Sequence, residues 1–361
     1  MKEYRIAVIP GDGIGKEVVP AGCRVLQAAE QAVGGFHLVF EEHNWCGDYY
    51  AQHGRMMPHD ALKILEGYDA IYFGAVGWPV LVPDHVALWT MILPIRKAFQ
   101  QYANVRPAKL LPGIQSPLRD RTPDDIDFVC VRENTEGEYS GVGGRIHEGT
   151  PYEVAIQSSV FSRHAVERVM RFSFELARSR PRKKVTSVTK SNACQYSMVL
   201  WDEIFEEVSR AYPDVQTEHW HVDAMAARFV THPHTLDVVV ASNLFADVLT
   251  DLAGAIAGSL GLAPSANLNP ERRWPSMFEA VHGSAPDIAG QGIANPAAQI
   301  WAGAMMLDWL GEARAAQAVM DGIGQAFLHG EALTPDLGGR ATTQQAADAI
   351  FRHVLNPQQG A

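Results

Sequence analysis

Short apolar runs rich in β-branched residues alternate along the chain with longer stretches in which apolar residues recur every three or four positions. The short runs predict strands, and the longer stretches predict amphipathic helices. The predicted strands are 5–9, 37–41, 70–76, 128–131, 184–188 and 238–241. The predicted helices are 17–33, 92–102, 163–179, 198–211, 246–258, 296–310 and 343–355. This alternation is typical of an α/β protein with a mostly parallel sheet.

Two segments depart from the alternation. Residues 138–159 contain Ser-Gly-Val-Gly-Gly-Arg followed by an alternating stretch, which predicts a hairpin-like excursion that serves as a dimer contact. Residues 258–270 are rich in Gly, Ala and Pro, which indicates a crossing between two domains. The chain has 361 residues, enough for two domains.

A glycine-rich turn, PGDGIGK at 10–16, follows the first predicted strand. A Rossmann dinucleotide fingerprint has its third glycine at the sixth position, where this chain has Lys16. No acidic residue on a second strand is well placed to bind a ribose. We therefore expect a tight strand-to-helix turn in a fold that is not Rossmann.

The composition is that of a globular protein, with 47% hydrophobic and 20% charged residues. A net charge of −11 disfavours nucleic acid and anionic membranes as partners, and no apolar stretch approaches the roughly 20 residues that span a bilayer. The chain begins with a strand pattern rather than a signal peptide, and its four cysteines form no CxxC pair. We expect reduced core thiols and a cytoplasmic location.

Three arginines stand near the ends of predicted elements: Arg96, Arg106 and Arg132. Arginine binds carboxylates through paired hydrogen bonds, so three of them could clamp two carboxylates. Each one alone is more often part of a surface salt bridge.

Two aspartates, Asp247 and Asp251, lie in NLFADVLTD at 243–251, where a helix is predicted. A spacing of four residues points both carboxylates the same way, and the two repel unless a cation lies between them. Oxygen ligands suit Mg²⁺ or Mn²⁺, and Asp223 is a candidate third ligand. A charge preference at the helix N-terminus explains the pair equally well.

Two side chains are candidates for proton transfer: Tyr139, after the acidic run 133–138, and Lys190, at the end of a predicted strand. Both groups titrate near ~10 when free, and a nearby metal or arginine cluster would lower both pKa values. In isolation each is more often a solvated or core side chain.

The loop VHGSAPDIAG at 281–290, continued by IANP at 293–296, is rich in small residues that let a ligand approach the backbone. Asp287 could accept hydrogen bonds from a ribose diol and would repel a 2′-phosphate. The alternative is a turn-rich connection without a ligand.

Four histidines complete no zinc pattern and are expected to be structural or exposed: His219, His221, His232 and His234.

These motifs occur together and in order, and in this the chain resembles the β-decarboxylating dehydrogenases, which include isopropylmalate, isocitrate, homoisocitrate, tartrate and D-malate dehydrogenases. The resemblance implies an isopropylmalate dehydrogenase-like two-domain α/β fold. The first domain would contain 1–104 and 262–361, and the second 105–261. It also implies a homodimer whose active sites take residues from both chains.

The resemblance assigns roles by motif. The substrate-binding residues are Arg96, Arg106 and Arg132. The ligands of Mg²⁺ or Mn²⁺ are Asp247, Asp251 and the neighbouring chain's Asp223. The catalytic residues are Tyr139, which protonates the carbon left by CO2, and Lys190 and Asp223, which arrive from the neighbouring chain and accept the hydroxyl proton. The NAD contacts are Asn192, His282, Gly283, Ser284, Ala285, Asp287, Ile288 and Asn295. K⁺ is a further candidate cofactor.

Departures from the isopropylmalate pattern bear on the substrate. Trp89 stands where isopropylmalate enzymes carry an acidic residue, and Ala193 replaces a larger apolar residue. The stretches PDHVALW at 83–89 and RENTEGEYSG at 132–141 resemble the corresponding stretches of the tartrate and D-malate dehydrogenases.

The expected reaction is therefore NAD-dependent oxidative decarboxylation of D-malate or tartrate, with 3-isopropylmalate as the alternative substrate. Two other classes remain as alternatives, a phosphate acetyltransferase-like acyltransferase and a non-catalytic regulatory subunit. Ala246 replaces the usual glycine of the metal motif and requires a negative φ.

Overall fold

The computed structural model describes residues 1–356. The strands are Lys2–Gly11 (β1), Phe36–Glu42 (β2), Ala70–Ala75 (β3), Ala103–Lys109 (β4), Asp127–Glu133 (β5), Gly137–Ile146 (β6), Val154–Val160 (β7), Lys184–Thr189 (β8), Gln216–His221 (β9), Val238–Ala241 (β10), Pro264–Leu268 (β11) and Ser276–Ala280 (β12). The helices are Gly15–Val33 (α1), Gly47–His53 (α2), Ala61–Leu65 (α3), Asp84–Ala87 (α4), Leu93–Ala98 (α5), Arg163–Ser179 (α6), Ser197–Ser209 (α7), Val222–Thr231 (α8), Asn243–Ile256 (α9), Ala297–Trp309 (α10), Ala313–Leu328 (α11) and Thr343–Leu355 (α12). A π-helical stretch, Leu88–Ile92, joins α4 to α5, and 3₁₀ turns lie at Pro233–Thr235, Leu260–Leu262 and Pro335–Leu337.

Within residues 1–356, ten strands form one sheet in the order β2-β1-β3-β12-β11-β4-β5-β10-β8-β9. Neighbouring strands run parallel towards both edges, whereas β11 is antiparallel to β12 and β4, and β4 is antiparallel to β5. The predicted α/β fold with a mostly parallel sheet is confirmed. The antiparallel centre also separates this sheet from the Rossmann order.

Helices cover the sheet differently at its two ends. Helices α1, α10, α11 and α12 pack together beside β1, β3 and β12, and α6 and α7 pack beside β5, β8 and β10. The first group is held by apolar side chains such as Val25, Leu26 and Ile300, which are fully buried. Between the two groups, β5 and β10 end side by side, and Arg132 on β5 pairs with Ala241 on β10 and with Asn104 on β4. Polar side chains meet at this point of the sheet.

The structure adds detail to one expectation about the chain path and corrects another. Within residues 258–270, Pro264–Leu268 forms a fully buried strand near the middle of the sheet, and the crossing between two domains stays a prediction. The helix predicted at 92–102 ends at Ala98, because Gln100 has a φ of +48°, and helical structure begins earlier, at Asp84. The predicted excursion at 138–159 is confirmed as the hairpin of β6 and β7. In the part of the chain that the structure describes, no helix is both long and apolar enough to cross a membrane.

The glycine-rich turn after β1 supports a second loop rather than forming a Rossmann site. Gly13 has a φ of +54°, and a Cβ there would lie 1.9 Å from the carbonyl oxygen of Ser284. The Ile14 amide donates to that same oxygen at 2.9 Å. The buried Asp12 carboxylate accepts the amides of Gly47 and Gly77 at 2.7 and 3.1 Å. The turn therefore packs tightly against the 281–290 loop. It is a tight strand-to-helix turn, as the sequence predicts.

Candidate active site

The sheet, the hairpin and one helix bring several of the predicted residues together. Arg106 lies on β4, Arg132 on β5, Tyr139 on β6 and Asp247 on α9. Guanidinium groups of Arg106 and Arg132 both donate to Oδ1 of Asp247, the former at 3.4 Å. The Tyr139 hydroxyl donates to Oδ2 of Asp247 at 3.1 Å, and Cζ of Arg132 lies 5.3 Å from the centre of the tyrosine ring. We call these four residues and Arg96 the arginine cluster.

Buried polar side chains fix the two guanidinium groups. The Asn243 side-chain oxygen accepts from Nε and NH2 of Arg132 at 2.9 and 2.7 Å. The Thr250 hydroxyl and the Asn104 side-chain oxygen accept from Arg106 at 2.6 and 2.8 Å. Because a paired planar guanidinium loses little freedom when it binds a carboxylate, this support prepares the cluster for an anion.

Arg96 lies on α5 and is tied to the cluster through buried polar groups. Its NH2 donates to Glu279 at 2.7 Å, and the same carboxylate accepts from Asn267 at 2.7 Å. Asn267 in turn accepts from Asn104, the residue that holds Arg106. Nε of Arg96 is enclosed but has no hydrogen-bond partner within residues 1–356. A buried donor without a partner is unfavourable, so this atom fits a carboxylate ligand.

Burial and mutual repulsion shape the charges of the cluster. Desolvation and the neighbouring Arg106 lower the pKa of Arg132 to about 10, and desolvation also lowers the pKa of Arg106. Burial alone would raise the pKa of Asp247, but the guanidinium groups of Arg132 and Arg106 outweigh it and hold that pKa below its ordinary value. The cluster gathers three guanidinium groups within a chain whose net charge is −11.

Burial and Asp247 raise the pKa of Tyr139 more than Arg132 and Arg96 lower it, so the expected net lowering by the arginines is not found in this structure. The phenol therefore keeps its proton at neutral pH. A protonated phenol suits a proton donor better than a base.

The two aspartates of α9 differ from each other. Asp247 is bound by the arginines, whereas Asp251, one turn further on, is exposed, and burial together with the charge of Asp247 raises its pKa. Two carboxylates on one face, whose charges repel each other, fit a divalent cation that would stabilise both charges. Helix α9 begins at Asn243, and Ala246 has the helical, negative φ that its replacement of glycine requires.

Asp223 and Lys190 are not part of the arginine cluster of the same chain. Nζ of Lys190, at the end of β8, donates to Asp223, at the start of α8, at 2.5 Å. Across residues 1–356, no three His, Cys, Asp or Glu side chains lie close enough together to hold a metal ion. A single chain therefore brings Asp247 and Asp251 together but does not place Asp223, the third predicted metal ligand, beside them.

The predicted cofactor loop is anchored at both ends. The Ser284 hydroxyl donates to the Gly77 carbonyl, and the Gly290 amide donates to Glu17 at 2.7 Å. Ala285 has a φ of +42°, while a Cβ at Gly283 would meet open space. The loop is thus held against the PGDGIGK turn while part of its backbone faces solvent.

The side chains of this loop differ in exposure and in whether their polar atoms already have hydrogen-bond partners. Asp287 is exposed and Ile288 is half-buried. Nε2 of His282 is enclosed without a hydrogen-bond partner in the described chain, and burial lowers the pKa of this histidine. The Asn295 side chain is already used, because it donates to Asp336 at 3.1 Å and accepts from the Ala297 amide at 3.0 Å. An enclosed, unpaired nitrogen near an exposed carboxylate fits a polar cofactor.

Other predicted residues lie outside these two sites. Asn192 and Ala193 are in an exposed turn after β8. All four cysteines are free, but the expectation of core thiols is wrong for Cys194, which is exposed in the same turn. Burial raises the pKa of both Cys23 and Cys130 to about 12, so their thiols are unreactive.

Sequence reasoning missed the residues that support the cluster: Asn104, Asn243, Thr250, Asn267 and Glu279. One signal was available for Asn104, which precedes Arg106 by two positions and therefore shares its face of β4. Asn243 and Thr250 were visible only as members of the motif that contains Asp247.

Comparisons with known proteins agree with this geometry. The model of the isocitrate/isopropylmalate dehydrogenase family matches residues 5–350. The chain is 56% identical to D-malate dehydrogenase [decarboxylating] of Escherichia coli (strain K12), over 98% of this chain and 99% of that protein. It is 52% identical to tartrate dehydrogenase/decarboxylase of Pseudomonas putida, over 96% of each chain. The crystal structure of isocitrate dehydrogenase from Methylococcus capsulatus is 36% identical, with a TM-score of 0.88, and covers 98% of this chain and 100% of that chain.

The fold and the named relatives define the class as a decarboxylating dehydrogenase. The chain belongs to the isocitrate/isopropylmalate dehydrogenase family. The expected resemblance to decarboxylating dehydrogenases of the D-malate and tartrate type is confirmed, and so is the prediction of an enzyme. This membership is evidence against an acyltransferase and against a non-catalytic subunit.

Proposed function

We propose that this enzyme oxidises a C4 2-hydroxy diacid, D-malate or tartrate, with NAD and removes its β-carboxyl as CO2. The observation that carries the proposal is the arginine cluster, in which Arg106 and Arg132 already hold one carboxylate, that of Asp247. A substrate carboxylate would take over part of that pairing. The unpaired Nε of Arg96 supplies a further donor for a diacid.

A divalent cation and NAD would complete the site. When bound, the cation would polarise the C2 hydroxyl and the keto group, and the nicotinamide would accept the hydride. Asp247 and Asp251 of one chain, with Asp223 of the neighbouring chain, would hold Mg²⁺ or Mn²⁺. The loop at 281–296 would bind the adenosine half of NAD, with Asp287 accepting from the ribose hydroxyls and Asn192 approaching the nicotinamide. K⁺ is a further candidate.

The chain's own groups would then move the protons. Lys190, paired with Asp223, would accept the proton of the C2 hydroxyl. Tyr139, whose raised pKa keeps its proton in place, would donate it to the carbon left by CO2. Asp247 orients the phenol, because it accepts the tyrosine hydrogen bond at 3.1 Å.

The proposed enzyme is a homodimer with shared active sites. Support comes from the separation of the Lys190–Asp223 pair from the arginine cluster, and from apolar side chains left in solvent on the hairpin and on α9. Val142, Ile156 and Val248 are 50%, 58% and 65% exposed. Apolar surface of this kind is usually covered by a partner. In the same proposal, 1–104 with 262–361 and 105–261 are the two domains, and the free thiols fit a cytoplasmic enzyme.

The proposed choice of substrate rests on Trp89. Trp89 lies against Gly141, two residues from Tyr139, and its indole would leave less room for a C3 alkyl group than for hydrogen or hydroxyl. We therefore place 3-isopropylmalate second. The direct experiment is a steady-state panel of D-malate, L-tartrate, meso-tartrate and 3-isopropylmalate with NAD and Mn²⁺. We expect D-malate or a tartrate to give the highest kcat/KM, and a preference for 3-isopropylmalate would overturn the substrate assignment.

A substitution in the cofactor loop tests the NAD assignment separately. Asp287→Lys exchanges a group that would bind the ribose diol for one that binds a 2′-phosphate. We expect the ratio of kcat/KM for NAD to that for NADP to fall roughly tenfold or more, equivalent to one good charged contact. An unchanged ratio would remove Asp287 from the cofactor site. The exposed Asp308→Lys is the matched control and should leave the ratio unchanged.

A further inference from the structure

The strand that carries Tyr139 is irregular at that residue. Gly137 of β6 pairs with Val160 of β7, but the next regular pair is Val142 with Ser158. Residues 138–141 therefore lie opposite Ser159 alone, which makes a bulge larger than the usual two residues against one. Within such a bulge, backbone groups lose their partners in the ladder and must find others or face water.

Side chains supply the missing partners. The carbonyl of Glu138 accepts from the side-chain amide of Gln157 at 2.7 Å. The carbonyl of Ser140 accepts from Nζ of Lys97 at 3.1 Å, and Lys97 is the residue that follows Arg96 on α5. Lys97 thus joins the helix that carries one substrate arginine to the strand that carries the proton donor.

An aromatic side chain completes this connection. Nζ of Lys97 lies 5.0 Å from the centre of the Trp89 ring, which is within the range of a cation–π contact. A Cβ at Gly141 would lie 3.0 and 3.2 Å from two atoms of that ring, so any larger residue would have to push the indole away. Gly141 also has a φ of +86°, which disfavours any other residue.

We infer that Lys97 is a positioning residue: it holds the bulge at 138–141 and so sets the place of the Tyr139 hydroxyl, while Trp89 and Gly141 enclose its ammonium group. The Lys97 side chain forms no salt bridge within residues 1–356, which leaves its charge available for the Ser140 carbonyl and the indole. Burial lowers the pKa of Lys97, in keeping with an ammonium group that is partly withdrawn from water. The inference rests on the proposed role of Tyr139.

Hydrogen exchange of the free protein tests the structural half without any turnover. Lys97→Met removes the donor and the charge at similar length, Lys97→Arg keeps both, and Lys63→Met, on the exposed side of α3, is the matched control. We expect Lys97→Met to speed amide exchange several-fold in a peptide covering 137–146 and not elsewhere, with exchange near wild type in Lys97→Arg and Lys63→Met. Unchanged exchange in that peptide, or faster exchange throughout the chain, would overturn the inference.

Kinetics test the functional half. We expect Lys97→Met to lower kcat with D-malate or tartrate roughly tenfold and to change KM less than twofold, since a displaced donor slows a step without weakening the carboxylate contacts. In a Tyr139→Phe background the same change should have no further effect, because the group that Lys97 positions is already gone. A full additional loss in that background would contradict the inference. If the wild-type chain reduces no NAD with these acids, the proposed function fails, and the exchange experiment alone decides on Lys97.

Discussion

Two charged regions of this molecule carry predicted catalytic residues, and they are built in different ways. In the arginine cluster, Arg132 and Arg106 are buried and every charge meets an opposite charge or a fixed amide. In the Lys190–Asp223 pair, the aspartate side chain is 68% exposed, and the two residues bind mainly each other. One half of the proposed site is therefore formed by the fold of a single chain. The other half lies on the surface, where in the proposed homodimer it would complete the active site of the partner chain.

The largest effect should come from the centre of the arginine cluster. Asp247→Asn removes a proposed metal ligand and the anion that Arg132 and Arg106 share, so we expect kcat/KM to fall on the order of 10³-fold. The free energy of unfolding should fall by about 1–2 kcal/mol, a value reduced by the partial exposure of Asp247. Steady-state rates and urea unfolding measure the two effects. Loss of activity with unchanged stability would show that the arginines do not depend on Asp247.

A change in the Lys190–Asp223 pair should lower activity while leaving stability nearly unchanged. Lys190→Met removes the proposed base, so kcat should fall roughly 10²-fold or more, while the free energy of unfolding should change by less than about 0.5 kcal/mol because an exposed ion pair contributes little. Rates and urea unfolding again give the comparison. A large loss of stability would mean that the pair belongs to the structural framework as the arginine cluster does.

Tyr139→Phe tests the proton donor inside the cluster. The hydroxyl is lost but the ring can remain beside Arg132, so we expect roughly a 10²-fold lower rate of decarboxylated product formation with KM changed little. The measurement is the yield of keto acid against CO2 in single turnovers. In the metal-free protein, burial and the charge of Asp247 raise the pKa of Tyr139, so the phenol is protonated at neutral pH. Loss of substrate binding in place of product formation would assign Tyr139 to the carboxylate site.

The smallest expected effect distinguishes the two aspartates of α9. The pKa of Asp247 is lowered, so its contribution to stability is complete above the ordinary Asp value of ~4 and is lost as pH falls through the lower, folded value. The pKa of Asp251 is raised, so its contribution is complete below ~4 and is lost as pH rises through the folded value. Above that range, Asp251→Asn should raise Tm of the metal-free protein by on the order of 1 °C. A lower Tm at neutral pH without metal would contradict the assigned sign.

The difference between the regions also explains how far sequence reasoning reached. The apolar periodicity predicted six of the parallel strands, β1, β2, β3, β5, β8 and β10, and long helices such as α1 and α6, because those elements follow simple spacing rules. It missed β4, β9, β11 and β12. The place of β11 in the sheet depends on its antiparallel pairing with β4, which joins residues that are distant in sequence. The turn after Ala98 depends on the positive φ of Gln100, which no local pattern indicates.

For the site, motif resemblance named the charged residues of the arginine cluster, and the structure brings four of them together. It did not name Asn104, Glu279 or Lys97. Their roles depend on which strand and helix ends meet in space. Nor could it indicate that Asp247 keeps the pKa of Tyr139 high, since that effect depends on a 3.1 Å contact between residues 108 positions apart.

Hybrid dimers test the shared site most directly. A Lys190→Met chain and an Asp247→Asn chain would be produced together with different purification tags, and the mixed dimer isolated. If each site takes Asp247 from one chain and Lys190 from the other, one of the two sites in the mixed dimer is intact, and we predict about half the wild-type kcat per dimer although both parents are nearly inactive. A mixed dimer as inactive as its parents would contradict the account, because it would mean that Lys190 and Asp247 must belong to the same chain.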